Sequence, residues 1–225
     1  RKLAKLVGPC HMRKVGQWTL HQEIGRGGMG AVYRATHEML PGKEFAVKVI
    51  APEHAQSLEA QNRFLREVGI AHELRHENIV RHEVPFAAEG VLHLPMELLV
   101  GNTLERVLEL RREPFSEPEA LQIFRQVAAG LAYAHRQDPA VVHRDIKPAN
   151  LHLDLNTGRV RILDFGIAKA VSGQTLTQSG VSLGTPAYMP PELAHGATRV
   201  VPSADVYALG LVLFELVTKT APIDL

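Results

Sequence analysis

The pattern of apolar and polar positions changes character at Gly101-Asn102. Before it, short runs alternate as strands do: Trp18-Thr19-Leu20, Ala31-Val32-Tyr33-Arg34-Ala35 and Glu44-Phe45-Ala46-Val47-Lys48-Val49-Ile50. A glycine cluster separates the first two, and Leu40-Pro41-Gly42-Lys43 supplies a turn before the third. From Leu58 to Leu74 the apolar residues Phe64, Leu65, Val68 and Ala71 switch to helical spacing, which predicts one amphipathic helix. Strand-like runs return at Ile79 to Phe86 and at Val91 to Leu98. Past the break, helices predominate. Leu104 to Arg112 reads as one helix. Ser116 opens another as N-cap, with Pro118 in its first turn and Glu119 completing a capping box. On that helix Leu121, Phe124, Val127, Leu131 and Ala134 fall at core-facing spacing. Short strand-like pieces flank Asp145 and Asp164, a polar stretch runs from Ser172 to Thr185, and a last helix begins near Ser203 or Asp205. The expectation is an α+β chain: a small sheet with one helix, a linker near Glu97 to Asn102, then a mostly helical part.

Composition changes this picture little. The chain has 225 residues, 45% hydrophobic and 22% charged, which suits a folded protein with a substantial core. Its net charge of +1 gives no reason to expect nucleic acid or a membrane surface as partner. Arg1, Lys2, Lys5, Arg13 and Lys14 make the first stretch locally basic, which reads as a solvated arm or linker. Cys10 is the single cysteine, so no internal disulfide forms and a reducing, cytoplasmic setting fits. The opening residue is Arg1, not Met, and reads as the start of a fragment; no apolar run follows to make a signal peptide. Val206 to Val217 is apolar but interrupted by Glu215 and too short to span a bilayer, so it reads as a core helix.

Four motifs carry chemistry. Gly25-Arg26-Gly27-Gly28-Met29-Gly30 is a G-x-G-x-x-G loop, in which glycines let backbone N–H groups approach phosphate oxygens. A dinucleotide-binding loop would open into a helix, whereas Ala31-Val32-Tyr33 continues as a strand, so a hairpin closing over phosphates is expected. Lys48 sits among apolar strand residues, where burial demands an anion; Glu67 on the following helix and triphosphate oxygens are the candidates, an exposed strand lysine being the plainer alternative. In His143-Arg144-Asp145-Ile146-Lys147-Pro148-Ala149-Asn150, Asp145 can take a hydroxyl proton, Lys147 can balance phosphoryl charge, and Asn150 can offer an oxygen to a metal. Asp164-Phe165-Gly166 puts a carboxylate on a turn, suited to Mg²⁺ held chiefly by phosphates. His72-Glu73-Leu74-Arg75-His76 also matches the zinc-protease pattern H-E-x-x-H, but no obvious third ligand follows.

In this order and spacing, from Ile24 to Glu215, the motifs resemble the eukaryotic-type serine/threonine protein kinase catalytic domain, most closely its bacterial branch. The resemblance implies a two-lobed kinase fold. An arm at 1–16 would precede a kinase domain at 17–225, with an N-lobe over 17–97, a hinge over 97–102 and an incomplete C-lobe over 103–225. It implies transfer of the γ-phosphoryl group of ATP, with Mg²⁺ or alternatively Mn²⁺, to protein serine or threonine. Gly25, Gly27 and Gly30 would cover the phosphates, with Ile24 and Gly28 in the same nucleotide-binding set, and Val32 and Ala46 would pack on the adenine. Lys48, held by Glu67, would contact the α- and β-phosphates; Met96 would be the gatekeeper; the backbone of Glu97 and Leu99 would meet the adenine edge. Asp145 resembles the catalytic base and Asn150 and Asp164 the metal ligands, while Lys147 and Gly184-Thr185-Pro186-Ala187-Tyr188 point to the serine/threonine class.

The hydroxyls Ser172, Thr175, Thr177, Ser179 and Ser182 suggest a loop activated by autophosphorylation, with Thr177 or Ser179 the candidates, Arg144 as phosphate partner and self-association as the route. Three departures from the family pattern stand out. His152 replaces an aliphatic residue beneath the adenine, Pro190 precedes Pro191-Glu192 in place of alanine, and the sequence ends at Leu225, where kinase domains continue for several helices. A nucleotide-binding pseudokinase is the alternative function, although Lys48, Asp145, Asn150 and Asp164 are all present. Anchoring to a membrane would have to come from sequence outside this chain.

Overall fold

In the computed structural model, the described residues are 12–51, 62, 65, 68–69, 72–165, 186–194 and 201–222. They form two compact units: one takes residues from Arg1–Glu73 and Arg81–Leu99, the other from Leu74–Val80 and Val100–Leu225.

The first unit is built on an antiparallel six-stranded sheet of β1 (Arg13–Val15), β2 (Trp18–Gly27), β3 (Gly30–His37), β4 (Glu44–Ile50), β5 (Phe86–Ala88) and β6 (Val91–Glu97). Its order is β1-β2-β3-β4-β6-β5. Arg13–Val15, the end of the stretch read as an arm, pairs with Trp18–Leu20 through the turn at Gly16. The sheet is curled. Arg13 on one edge strand pairs with Glu89 just past the other, and Trp18 stacks on Phe86 at 6.3 Å between ring centroids. The alternation of the strands sends Val15, Trp18, Leu20, Ala31, Tyr33, Ala35, Phe45, Val47, Val49 and Val91 into one cluster on the inside of that curl. His93 joins the same side, stacked on Phe86 at 4.8 Å, with its Nδ1–H donated to the Val91 carbonyl at 3.0 Å.

The strand expected over Ile79 to Phe86 is not continuous: Ile79 and His82 make isolated bridges, and only Phe86–Ala88 form β5. Pro85 has no N–H to give a ladder, which accounts for the break just before β5. Of the predicted amphipathic helix, Asn62, Leu65, Val68, Gly69 and His72 are helical and Val68 is buried.

The second unit contains helices α1 (Leu104–Leu110), α2 (Glu117–His135) and α3 (Ser203–Thr218), and a three-stranded sheet of β7 (Asn102–Thr103), β8 (Leu151–Asp154) and β9 (Arg159–Ile162). Thr103 caps α1 by accepting from the Arg106 N–H, and α1 ends two residues before the expected Arg112, with Arg111 turned to an extended conformation. The capping box of α2 is present: the Glu119 carboxylate accepts from the Ser116 N–H at 2.8 Å and from its hydroxyl at 2.7 Å. The buried stripe of α2 is Ala120, Ile123, Val127, Gly130, Leu131 and Ala134. Leu121 and Phe124, expected in it, are only half-buried, because the stripe that faces α3 and β9 runs one position earlier. The packing at Gly130 is close, since a Cβ would lie 2.8 Å from the Ile162 side-chain tip and 3.3 Å from the Asn78 carbonyl oxygen. On α3, Ala204, Asp205, Ala208, Leu209, Val212 and Leu216 are buried, while Val206, Tyr207 and Val217 are exposed.

Leu74–Val80 belongs to this unit, held by side chain and backbone. Asn78 donates to the Val160 carbonyl at 3.0 Å and to Gln126 at 3.1 Å, while the Ile162 N–H donates to the Asn78 carbonyl and the Val80 N–H to the Ile162 carbonyl. His76 lies outside the helix and rests against Tyr133. No cluster of His, Cys, Asp and Glu able to hold a metal is found among the described residues.

Candidate active site

On the first unit, strand register gathers the nucleotide-binding candidates. Val32 lies opposite Lys48, and Ala46 opposite Met96, so all four share a sheet face, the one turned away from the aromatic cluster. Lys48 is 7% exposed. A buried ammonium is held only where anions meet it; Glu67, its expected partner, lies outside the described residues. The Glu97 N–H is donated to the Arg81 carbonyl at 2.9 Å, and its carboxylate accepts from the Arg81 N–H at 2.8 Å. Its backbone could therefore meet an adenine edge only through the carbonyl. Leu99 is half-buried at the end of this unit.

The glycine loop joins β2 to β3, a hairpin as the sequence implies. Its glycines divide into two kinds. Gly30 has φ of +144°, and a Cβ there would sit 2.0 Å from the Val49 carbonyl oxygen, so the fold itself requires it. Nothing lies within 4 Å of a Cβ built on Gly27 or Gly28, and at Gly25 only the Val32 Cβ at 4.0 Å does. Packing does not explain these three glycines. Ile24 beside them is exposed.

The second unit builds a knot around Asp145. Asn150 donates its Nδ2 hydrogens to the Asp145 carbonyl at 2.7 Å and to its Oδ2 at 2.9 Å, and Lys147 Nζ lies 3.0 Å from that Oδ2. A 3₁₀ turn at Pro148–Asn150 closes on the Lys147 carbonyl and leads into β8. The backbone under Asp145 is held by the fully buried His143. Its Nε2–H donates to the Leu163 carbonyl at 2.6 Å, and its Nδ1 accepts the Asp145 N–H at 3.2 Å. A carbonyl can only accept and an amide N–H only donate, which fixes the tautomer. Phe165 packs edge-on against the same ring.

All of this ends on Asp205 of α3, 1% exposed. Its Oδ2 accepts from the His143 N–H and from His135 Nε2, and its Oδ1 from the Arg144 N–H, each at 2.8 Å. Arg144 and Asp164 both have positive φ, 73° and 57°. Such residues cost about 1–3 kcal/mol and persist where their surroundings fix them, as these anchors do for Arg144. The sequence reading missed Asp205 and His135 as site supports. The available signal was an aspartate in the first turn of a helix otherwise apolar enough to be core.

His152 stands in β8 between buried Leu151 and Leu153, with its ring on the opposite side of the strand. Burial pushes its pKa below the ordinary histidine value. Gly101, φ +124°, approaches the β8 backbone so closely that a Cβ would meet the Leu153 oxygen at 2.2 Å. Further on, Tyr188 donates its hydroxyl to Glu215 of α3, and burial raises the pKa of both groups. Gly166, Thr177, Ser179, Gly184 and Thr185 lie outside the described residues.

The first unit thus carries a glycine hairpin and a buried strand lysine, and the second an aspartate tied to a lysine and an asparagine. The chain belongs to the protein kinase family: the model of the protein kinase domain matches residues 18–224, and the fold is the protein kinase fold. The chain is 37% identical to the serine/threonine-protein kinase PrkC of Bacillus subtilis over 93% of its own length and 31% of that protein's. It is 40% identical to the serine/threonine-protein kinase PknJ of Mycobacterium tuberculosis over 91% of itself and 34% of the relative. It thus spans about a third of the length of these relatives. Among solved structures, the PknI kinase domain of M. tuberculosis, as a double mutant, superposes with a TM-score of 0.79 at 30% identity, covering 96% of this chain and 78% of that one.

Proposed function

We propose that the protein transfers the γ-phosphoryl group of Mg·ATP to serine and threonine hydroxyls of proteins. The observation that carries this reading is the knot around Asp145. One of its carboxylate oxygens is tied to Lys147 and Asn150, and its backbone is pinned through His143 and Arg144 to Asp205. So held, Asp145 accepts the proton of the attacking hydroxyl as that oxygen bonds to the γ-phosphorus and the bond to the ADP oxygen breaks. Lys147 offsets negative charge on the group in transit. The serine/threonine kinases among the relatives support the same choice of acceptor.

With both amide hydrogens of Asn150 given to Asp145, its oxygen is the group left to meet a cation, together with the Asp164 carboxylate. Few, hard oxygen donors fit Mg²⁺ completed by phosphate oxygens, and Mn²⁺ takes the same set. Such an ion, when bound, neutralises charge developing on the phosphates. On the first unit, Lys48 with Glu67 steadies the α- and β-phosphates under Gly25, Gly27, Gly28 and Gly30. Ile24, Val32, Ala46, Met96, Glu97 and Leu99 form the nucleotide surface of that unit. We further assign the domain to the cytoplasm, where ATP is supplied; no helix among the described residues is long and apolar enough to cross a membrane. Copies of the protein phosphorylate one another at Thr177 or Ser179.

The test is incubation with γ-labelled ATP and a mixed protein substrate, followed by phosphoamino-acid analysis. Label on phosphoserine and phosphothreonine is expected. Binding of ATP with no transfer favours a pseudokinase, and label on tyrosine overturns the acceptor assignment. Thr177→Ala with Ser179→Ala should lower the activity, and unchanged activity removes the autophosphorylation claim.

A further inference from the structure

Glu23 stands where β2 runs into the glycine loop, and the β2–β3 ladder is irregular on both sides of it. Register shifts fall between Leu20 and Glu23 and between Glu23 and Gly25. The ladder resumes at Gly25, opposite Val32, so the pairing that would aim the loop is broken only where Glu23 stands. Side chains supply the missing tie. Arg26, inside the loop, sets its guanidinium fork on the Glu23 carboxylate, with Nε 2.8 Å from Oε1 and Nη2 on Oε2. Tyr33, directly opposite Glu23 in β3, donates its hydroxyl to the same Oε2 at 3.1 Å. Tyr33 is 2% exposed and part of the aromatic cluster, so the carboxylate is fastened to the core at one end and to the loop at the other. The Arg26 hydrogen bond holds the Glu23 carboxyl below the usual carboxylate range, and burial pushes the Tyr33 phenol up, so the charges and the donor are in place at neutral pH.

We infer that Glu23 is a positioning residue for the glycine loop, holding the loop's entry in a fixed curve through the Tyr33–Glu23–Arg26 relay. The inference rests on the reading above that this loop covers the phosphates of ATP. Gly25, Gly27 and Gly28 carry no side chain to restrict their backbone, so without the relay more of the loop must be ordered when nucleotide binds, and ordering opposes binding. The effect belongs to nucleotide affinity and not to the chemical step. Nor does it belong to global stability, because the Arg26 and Glu23 side chains are 46% and 35% exposed, and such pairs contribute little to folding.

The experiment measures ATP affinity, KM, kcat and Tm for the wild type, Glu23→Gln, Arg26→Lys, Tyr33→Phe and the Glu23→Gln/Arg26→Lys double variant. Glu23→Gln is expected to raise the KM and the Kd for ATP roughly three- to fivefold, with kcat within about twofold and Tm unchanged. Arg26→Lys keeps the charge but not the fork and should match it, Tyr33→Phe should fall in between, and the double variant should be no worse than either single. Unchanged KM in Glu23→Gln overturns the inference, as do effects that multiply in the double variant or a KM rise that merely follows a fall in Tm. A wild type that bound no ATP would instead sink the kinase reading itself, and the relay with it.

Discussion

On the first unit, Val32, Ala46, Lys48 and Met96 owe their common face to the register of β3, β4 and β6. On the second, Asp145, Lys147 and Asn150 owe their places to hydrogen bonds that lead through His143 and Arg144 to a single buried carboxylate, Asp205. The difference matters for how each fails. A ladder spreads its hold over many backbone bonds, so one side chain on its face can change while the face survives. A hub concentrates its hold, so one side chain carries several partners with it.

Removing the hub gives the largest expected effect. Asp205→Ala strands the N–H groups of His143 and Arg144 and the ring of His135 inside the protein, and should destabilise it by about 3–5 kcal/mol, read as a fall in the chemical-denaturation midpoint. Loss below about 1 kcal/mol would show that the loop is held by other contacts.

The first unit has a weak point of another kind, and acid exposes it. His93 is 4% exposed, and desolvation depresses its pKa to about 4, against 6.5 ordinarily. The nearby Arg13 charge lowers it further, and Glu89 and the Val91 carbonyl only partly offset this. Between those values the unfolded chain takes up a proton that the folded chain refuses. The stability is therefore complete above about pH 6.5 and is lost as pH falls toward 4, by up to about 3 kcal/mol. His93→Phe, which keeps the stack on Phe86, should flatten this acid limb in a Tm-against-pH series. An unchanged limb would place the sensitivity elsewhere.

The smallest effects separate glycines needed by the fold from glycines needed by the ligand. Gly30→Ala should lose about 2–3 kcal/mol of stability from its φ and the Val49 clash. Gly27→Ala should stay within about 0.5 kcal/mol yet weaken ATP binding. Equal losses of stability in the two would erase the distinction.

Local chemistry was legible from sequence and distant chemistry was not. Ser116 and Glu119 announced the start of α2, and Gly25 to Gly30 announced a hairpin, because each signal lies within a few residues of its effect. The assignment of Val32 and Ala46 to the adenine came only through the family resemblance, and the strand register sets them on the face that carries Lys48. By contrast, Asp205 acts on backbone 61 and 62 residues away, and nothing local marks such a bond. Arg13–Val15 carry charges that resemble a solvated arm, yet they pair with β2 because Val15 joins the Trp18 cluster. Leu121 and Phe124 are larger than Ala120 and Ile123, and size drew the predicted stripe toward them. The buried positions went to the smaller residues because α3 and β9 pack close to that face.

The assignment of Asp145 is tested most directly by Asp145→Asn, measured for ATP binding and for phosphoryl transfer on the same preparation. The asparagine can still accept from Asn150 but cannot take a proton from a hydroxyl. Binding close to that of the wild type is expected, with transfer reduced by ~10²- to 10⁴-fold. Transfer at the wild-type rate would remove Asp145 from the chemistry and with it the centre of the proposed site.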